Sequence, residues 1–190
     1  FIAERFVEAG AAVVLNNYDL CPNVTMDEIT RQNRAAFAWI YKNARSLGAD
    51  PNRIHVTGHS AGGHLTAMLL ATNWDEWGVS PSPINGAVPV SGLFDLEPLR
   101  VSYLNEDLKM SKEESGRNSP IHSIPKQMPP IVVAVGGGET DEFRRQSRIY
   151  VDACRANNIE CSYLEVGNFD HVYLAGEYRN KMSPLTAALF

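Results

Sequence analysis

The sequence has few of the features that mark secreted, membrane-spanning or nucleic-acid-binding proteins. Only three of its 190 residues are cysteines (Cys21, Cys154 and Cys161), an odd number that argues against a disulfide framework. No apolar stretch is long enough to span a bilayer, and the first residues show no signal-peptide pattern. Lys and Arg total 17 against 22 Asp and Glu, a net charge of −5, and no basic cluster suits nucleic acid. We therefore expect a soluble, cytoplasmic protein that binds neither membranes nor nucleic acids.

The composition is that of one ordinary folded domain. Hydrophobic residues make up 44% of the chain and charged residues 21%, and the length suffices for a sizeable core. The first ten residues look like the second half of an amphipathic helix, with apolar residues at positions 1, 2, 6 and 7 and a glycine at position 10. Because no N-cap precedes them, we expect the sequence to begin inside a larger fold.

Apolar runs and helical periodicities alternate along the chain. The pattern predicts strands at 11–16, 53–57, 84–90, 131–135 and 162–166, with helices at 26–47, 61–72, 142–157 and from Tyr178 onward. Pro89 fits poorly in the third strand, because proline has no N–H to donate to a neighbour. Residues 97–130 show no clean periodicity and predict an irregular, cap-like insert. The alternation favours a mostly parallel sheet with helices on both faces.

The segment Gly58-His59-Ser60-Ala61-Gly62 matches the pattern G-x-S-x-G. This motif raises a serine hydroxyl above the sheet on a strained turn between a strand and a helix, and its glycines allow close backbone approach. Its position fits, since a predicted strand ends at Thr57 and a predicted helix begins at Ala61. The alternative is a glycine-rich turn whose serine only caps the helix.

A nucleophilic serine needs a histidine base, and five histidines are available. His171 follows the last predicted strand, which is the position expected for a base that comes after serine and acid in the chain. His55 lies in a predicted strand, and His122 lies in the insert. His59 and His64 flank the serine; their spacing makes a poor metal pair and favours packing and hydrogen bonding around the turn. No metal site is expected.

The acid should follow the strand that ends at Val135. The loop there reads Gly136-Gly137-Gly138-Glu139-Thr140-Asp141-Glu142. Glu139 is favoured over Asp141, which has the shorter side chain usual for the role, and Glu142 is expected in the first helical turn. A phosphate cradle is the rival interpretation of these glycines, but it lacks the third glycine of G-x-G-x-x-G, and the carboxylates would repel a pyrophosphate. We expect no cofactor.

With these features in order, the sequence resembles the esterase/lipase branch of the α/β-hydrolase fold, and within it the kynurenine formamidase (arylformamidase) group. The resemblance rests on five stretches, namely residues 17–22, 58–65, 91–96, 142–147 and 170–171. It implies Ser60 as nucleophile, Glu139 as acid, His171 as base and the Ala61 N–H as one oxyanion donor. It implies residues 1–190 to be the C-terminal portion of a single domain, without the N-terminal strands and the upstream His-Gly-Gly motif.

The resemblance also implies a reaction, the hydrolysis of N-formyl-L-kynurenine, a small-molecule substrate. A general short-chain carboxylesterase would use the same three side chains, and a non-catalytic binding module of this fold is a further alternative. Residues 97–130, with Tyr103 and Leu104, are expected to form one wall over Ser60; the alternative is a solvent-exposed insertion. No residue can be assigned to binding the amino-acid end of the substrate, and a homodimer is left open.

Overall fold

A parallel sheet of four strands, in the order β1-β2-β3-β4, organises the computed structural model, which describes residues 2–190. The strands are β1 (His55–His59), β2 (Gly86–Val90), β3 (Ile131–Gly136) and β4 (Cys161–Val166). The longer helices are α2 (Met26–Asn43), α3 (Ala61–Leu70) and α7 (Asp141–Ala156). The short helices are α1 (Glu4–Glu8), α4 (Glu97–Arg100), α5 (Asn105–Leu108), α6 (Lys112–Arg117), α8 (His171–Leu174) and α9 (Pro184–Leu189). The predicted α/β architecture with a parallel sheet is confirmed.

Two apolar clusters cover the two faces of the sheet. Alternate residues of a strand point to opposite faces, and β3 accordingly gives Val133 to one cluster and Ala134 to the other. The first cluster packs α2, α3 and α7 on one face, with Phe37, Phe94 and Tyr150 among its buried members. The second packs the C-terminal segments on the other face. The predicted placement of helices on both faces is therefore confirmed.

Pro89 does lie in a central strand, because β2 has β1 and β3 as neighbours. Toward β3, the N–H of Ala87 donates to Pro130 and the N–H of Ser91 donates to Ala134, at N···O distances of 3.3 and 2.8 Å. Pro89 stands midway between them, where the next N–H toward β3 would be. The strand thus tolerates proline by omitting one hydrogen bond of the β2–β3 pairing.

The predicted strand at 11–16 is wrong. These residues form no strand, and Val14 and Leu15 are 49% and 70% exposed. A strand requires a hydrogen-bonding neighbour, and no strand within residues 2–190 pairs with this segment. Asn16 is instead held by its side chain, which donates to the Asn33 side chain on α2.

The segment 97–130 has more regular structure than its sequence predicts. It contains α4, α5 and α6 and a 3-10 turn at Pro120–His122. Helices this short show no periodicity, although Ser111 caps α6 by accepting the Glu114 N–H. Tyr103 and Leu104 are 79% and 43% exposed. That this insert walls the nucleophile stays a prediction.

Both ends of the chain differ in detail from expectation. The N-terminal helix covers Glu4–Glu8 and ends before Gly10 at φ +87°, whereas Phe1, counted in its predicted apolar face, lies outside the described residues. The last helix begins at Pro184 rather than at Tyr178, which lies in a 3-10 turn. Ser183 caps that helix and Pro184 opens it, as proline favours the first helical position. Among residues 2–190, no helix has the length and apolarity needed to cross a membrane.

Candidate active site

Ser60 occupies the turn that joins β1 to α3. Its φ and ψ angles are 59° and −117°, a combination that costs energy for any residue except glycine. The Ser60 N–H donates to the carbonyl of Val90 at the end of β2, at 2.9 Å, and the Ser60 carbonyl accepts from His64. These bonds hold the strained turn at the carboxyl edge of the sheet. The strand ends at His59, two residues later than predicted, and the helix begins at Ala61 as predicted.

The glycines around the serine explain how the chain makes this turn. A Cβ on Gly58 would lie 2.5 Å from the backbone of Gly62, and one on Gly63 would lie 2.6 Å from the Val90 carbonyl. Strand and helix therefore approach each other too closely for side chains. A Cβ on Gly62 itself would meet nothing within 4 Å. The close approach therefore depends on the Cβ positions of Gly58 and Gly63, not on that of Gly62.

His171 joins the serine to a carboxylate. Its Nε2 lies 2.8 Å from Ser60 Oγ, and its Nδ1 lies 2.7 Å from Glu139 Oε2. The three side chains come from positions far apart in the sequence, after β1, β3 and β4. His171 is not in a loop but is the first residue of α8, whose N-terminus Asp170 caps by accepting from the N–H groups of Val172 and Tyr173. The structure brings together the three residues predicted from the sequence.

Glu139 is a buried carboxylate with several donors. Its side chain is fully buried; Oε1 accepts from the Ser91 hydroxyl and, at 3.0 Å, from the Gly136 N–H. Burial by itself raises the pKa of Glu139, but the hydrogen bonds from His171, Ser91 and Gly136 outweigh it and hold the pKa below the usual value. Glu139 therefore carries its charge near neutral pH, as an acid that orients a histidine must.

Asp141 and Glu142, the other carboxylates of this loop, pair with arginines of α7 and not with His171. The Asp141 side chain is 97% exposed and pairs with Arg144. Glu142 lies in the first turn of α7, as expected, and pairs with Arg145 at 2.7 Å. The geometry thus favours Glu139 as the acid beside His171.

The glycines before Glu139 bring the acid and histidine loops into backbone contact. Gly137 and Gly138 donate their N–H groups to the carbonyls of Gly167 and Phe169, both at 3.0 Å. The N–H groups of Gly136 and Glu139 are also used, by the Glu139 side chain and the Gly136 carbonyl. Because all four N–H groups have partners within the chain, this loop presents none of them to a phosphate.

The sequence did not reveal the role of Ser91. This residue follows β2, is completely buried, has a φ of 48° and donates to Glu139. Ser60 and Ser91 thus occupy equivalent positions after neighbouring strands, both with positive φ. A serine-glycine pair directly after a buried strand was the available signal.

The contacts of two rings with His171 were not predicted. Phe143 of α7 stacks on the imidazole with a centroid distance of 4.2 Å, and His59 packs on it at 4.5 Å. The sequence predicted packing for His59, and the structure agrees, but its Nε2 is buried without a hydrogen-bond partner. Burial, and then the neighbouring His171, lower the pKa of His59. We expect His59 to be uncharged near neutral pH.

Ala61 is the residue that follows the nucleophile. As the first residue of α3, it has no acceptor for its N–H within the helix. An N–H directly after a nucleophilic serine is where a tetrahedral oxyanion is bound in sites of this geometry. Its position suits the donor role expected from the sequence.

Comparison with known proteins gives a consistent picture. The sequence is 36% identical to a kynurenine formamidase of Danio rerio over 176 residues, covering 90% of this chain and 58% of the relative. It is 28% identical to the esterase LipQ of Mycobacterium tuberculosis over 200 residues, covering 95% of this chain and 47% of that protein. The chain therefore spans about half of the length of these curated relatives.

Solved structures and a family model identify the fold. A hyperthermophilic esterase from the archaeon Pyrobaculum calidifontis superimposes with a TM-score of 0.83 at 20% identity, covering 99% of this chain and 69% of the esterase. At that identity the likeness shows the fold alone. The family characterised by the alpha/beta hydrolase fold matches residues 1–175, which is most of the chain. Together with the sheet topology, this match shows that the chain belongs to the α/β hydrolase family.

Proposed function

We propose that this chain carries the reacting residues of a serine hydrolase, with Ser60 as nucleophile, His171 as base and Glu139 as orienting acid. The observation that carries the proposal is the position of the His171 ring, whose two nitrogens lie within 2.8 Å of Ser60 Oγ and of a buried carboxylate oxygen. A binding module needs no such arrangement, so the geometry argues against that alternative.

The first half of the reaction forms an acyl-enzyme. Ser60 Oγ attacks the carbonyl carbon while His171 Nε2 takes the hydroxyl proton, and Glu139 accepts from Nδ1–H so that the correct nitrogen is free. The carbonyl oxygen becomes an oxyanion, which the Ala61 N–H stabilises. His171 then gives its proton to the leaving group, the bond from the carbonyl carbon to that group breaks, and the acyl group remains on Ser60.

The second half hydrolyses the acyl-enzyme. His171 removes a proton from water, the resulting hydroxide attacks the acyl carbon, and a second oxyanion forms at the same position. Collapse of this intermediate breaks the bond to Ser60 Oγ, which takes its proton back from His171. The carboxylic acid leaves, and the site regains its starting protonation.

For the substrate, we propose an N-formyl aryl amine, with N-formyl-L-kynurenine as the specific case. Support comes from the 36% identity to kynurenine formamidases of Danio rerio and Salmo salar. The chemistry suits the site, because formyl is the smallest acyl group and an aryl amine leaves once His171 protonates it. Tryptophan breakdown as the pathway and the cytoplasm as the location stay predictions.

A short-chain carboxylesterase is the second candidate. It is favoured by the similarity to esterases such as LipQ, and it requires no change in the roles of Ser60, His171 and Glu139. The two candidates differ in the leaving group and in what binds the amino-acid end of the substrate.

Fluorophosphonate labelling tests the serine hydrolase proposal. We expect the protein that carries this chain to react at Ser60 and the Ser60→Ala variant not to react. Ser183→Ala is a matched control at a buried serine that caps α9, and it should label like the parent. Absence of labelling in the folded parent, or equal labelling in Ser60→Ala, would reject the proposal.

Steady-state kinetics test the substrate. We expect kcat/KM for N-formyl-L-kynurenine to exceed that for p-nitrophenyl acetate, although the acetate ester has the better leaving group. Ser60→Ala should abolish both activities. A marked preference for the ester, with negligible formamidase turnover, would leave the carboxylesterase as the function.

A further inference from the structure

The imidazole of His171 is in contact with two other rings. Phe143, in the first turns of α7, lies at a centroid distance of 4.2 Å with an angle of 22° between the ring planes. His59, the last residue of β1, lies at 4.5 Å with an angle of 39°. Neither ring takes part in a proton-transfer step, so we asked what their contacts do for His171.

His171 depends on such contacts for its orientation. It starts a helix of only four residues, and its side chain is 30% exposed. Both of its hydrogen bonds, to Ser60 and to Glu139, lie along directions in the ring plane, so a tilt of the ring weakens both at once. Near-parallel stacking opposes such a tilt, because the tilted ring would run into its neighbour.

The two neighbouring rings are also suited to the charge that develops. When His171 takes the serine proton it becomes a cation, and the face of Phe143 attracts a cation at this distance. A charged neighbour would oppose that step, but burial and then the nearby His171 disfavour a charge on His59. Its buried Nε2 has no hydrogen-bond partner, and a hydrogen bond from the ring to the His171 backbone adds to the ring contact.

We propose that Phe143 and His59 are positioning residues, whose rings hold the His171 imidazole in the plane that joins Ser60 to Glu139. The proposal rests on the proposed function for its kinetic consequence. The orientation of the ring itself is a structural claim and can be measured without turnover.

The kinetic test removes each ring and then restores one. Phe143→Leu and His59→Gln should lower kcat for p-nitrophenyl acetate by roughly 10- to 100-fold, with KM unchanged, because a misplaced base slows the chemical step. Phe143→Tyr and His59→Phe keep a ring and should stay close to the parent. Trp39→Leu, at a 57% exposed aromatic on α2, is the matched control and should leave kcat unaltered.

Proton NMR in water reports the orientation directly. The parent should show a low-field resonance from the His171 Nδ1–H that donates to Glu139, absent in His171→Gln. It should be lost or broadened in Phe143→Leu and His59→Gln and retained in Phe143→Tyr and His59→Phe. This measurement does not require an active enzyme. A parent with the resonance but no fluorophosphonate labelling would reject the proposed function alone.

Three results would overturn the positioning role. The first is parent-like kcat in both ring-removing variants. The second is a fall in kcat with the low-field resonance intact, and the third is a rise in KM without a fall in kcat. Thermal unfolding of each variant checks that it is folded; if Phe143→Leu does not fold, His59→Gln and His59→Phe decide the question.

Discussion

Two segments that leave the same edge of the sheet are held in different ways. The acid loop, defined as residues 136–140, follows β3, and the insert, residues 97–130, follows β2. The acid loop is attached by its backbone, since Gly137 and Gly138 donate to the segment that leads to His171. Glycine makes this possible, because a Cβ on Gly137 would lie closer to the Gly167 carbonyl than the 3.0 Å that real Cβ atoms keep.

The contacts of the insert with α2 and α3 use side chains instead. Asn118 accepts from the Thr30 hydroxyl at 2.9 Å and donates to Asp27 at 2.7 Å, so it connects the insert to α2. The carbonyl of Asn118 accepts from His64 Nε2 of α3 at 2.8 Å. Arg117 adds an ion pair with Asp27 in which both side chains are partly exposed. Such pairs contribute little individually.

The acid loop therefore has a tightly fixed position, whereas the insert is fixed at fewer points. Backbone-to-backbone packing fixes the position of Glu139 relative to His171 and tolerates almost no substitution. Side-chain attachment fixes the insert at a few points and leaves its outer residues, such as Tyr103, exposed. Changes in the acid loop should therefore affect catalysis and folding strongly, whereas changes in the insert should have smaller and graded effects.

The largest expected effect is at Glu139, the proposed acid. Glu139→Gln should lower kcat about 10⁴-fold, because an amide can stabilise the wrong tautomer of His171. Asp141→Asn, two residues away at a 97% exposed side chain, should leave kcat unchanged. Steady-state kinetics on p-nitrophenyl acetate measure both. A greater loss at Asp141 than at Glu139 would show that the acid has been misassigned.

The sequence predicted features that depend on neighbouring residues better than contacts between distant segments. The positions of Ser60 and Glu139 are set by neighbours within a few residues, together with the strand before each, and the structure brings both to His171 as predicted. Their roles stay proposals. His171 was found from its place in chain order. The contacts that Ser91, Phe143 and His59 make with Glu139 or His171 join segments that are far apart in sequence. The local pattern shows at most a serine-glycine pair after a strand and a histidine beside Ser60, and it does not identify the partners.

The fold shows the same limit. The four strands of the sheet were predicted to within two residues at every end. The signal is strongest for β3, which is a continuous apolar run, as a buried parallel strand is expected to be. The run at 11–16 is similarly apolar but has no strand beside it within the described residues. The helices of the insert were missed because they have four to six residues and are too short to show a helical period.

The next effect compares glycine substitutions in the two segments. Gly137→Ala should destabilise the protein by about 3 kcal/mol, since its Cβ meets the backbone of Gly167 and neither chain can move aside easily. Gly116→Ala in α6 meets nothing within 4 Å and should stabilise by about 0.5–1 kcal/mol, since alanine suits a helix better. Urea unfolding measures both; equal losses at the two sites would contradict the distinction between the segments.

The smallest effect concerns the contact between the insert and α3, and it appears as a pH dependence. His64 is buried, and burial lowers its pKa from 6.5 to about 4, despite the hydrogen bond to Asn118. In the unfolded chain, His64 therefore binds a proton as the pH falls below 6.5. In the folded chain it does so only when the pH falls to about 4. This contribution to stability is complete above pH 6.5 and is lost as the pH falls toward 4.

Between pH 7 and pH 5 the loss from His64 should be about 2 kcal/mol in the free energy of unfolding. A glutamine side chain cannot bind this proton. Between pH 7 and pH 5, the free energy of unfolding of His64→Gln should therefore fall by about 2 kcal/mol less than that of the parent, whatever the stability of the variant at pH 7. His122→Gln, at an exposed histidine of the insert, is the matched control and should follow the parent. Working above pH 4.5 keeps the protonation of Glu139, whose pKa lies below its usual 4.5, from contributing. If urea unfolding gives parallel pH curves for the parent and His64→Gln, the histidine is not held neutral in the folded protein, and its contact with the insert is looser than the structure has it.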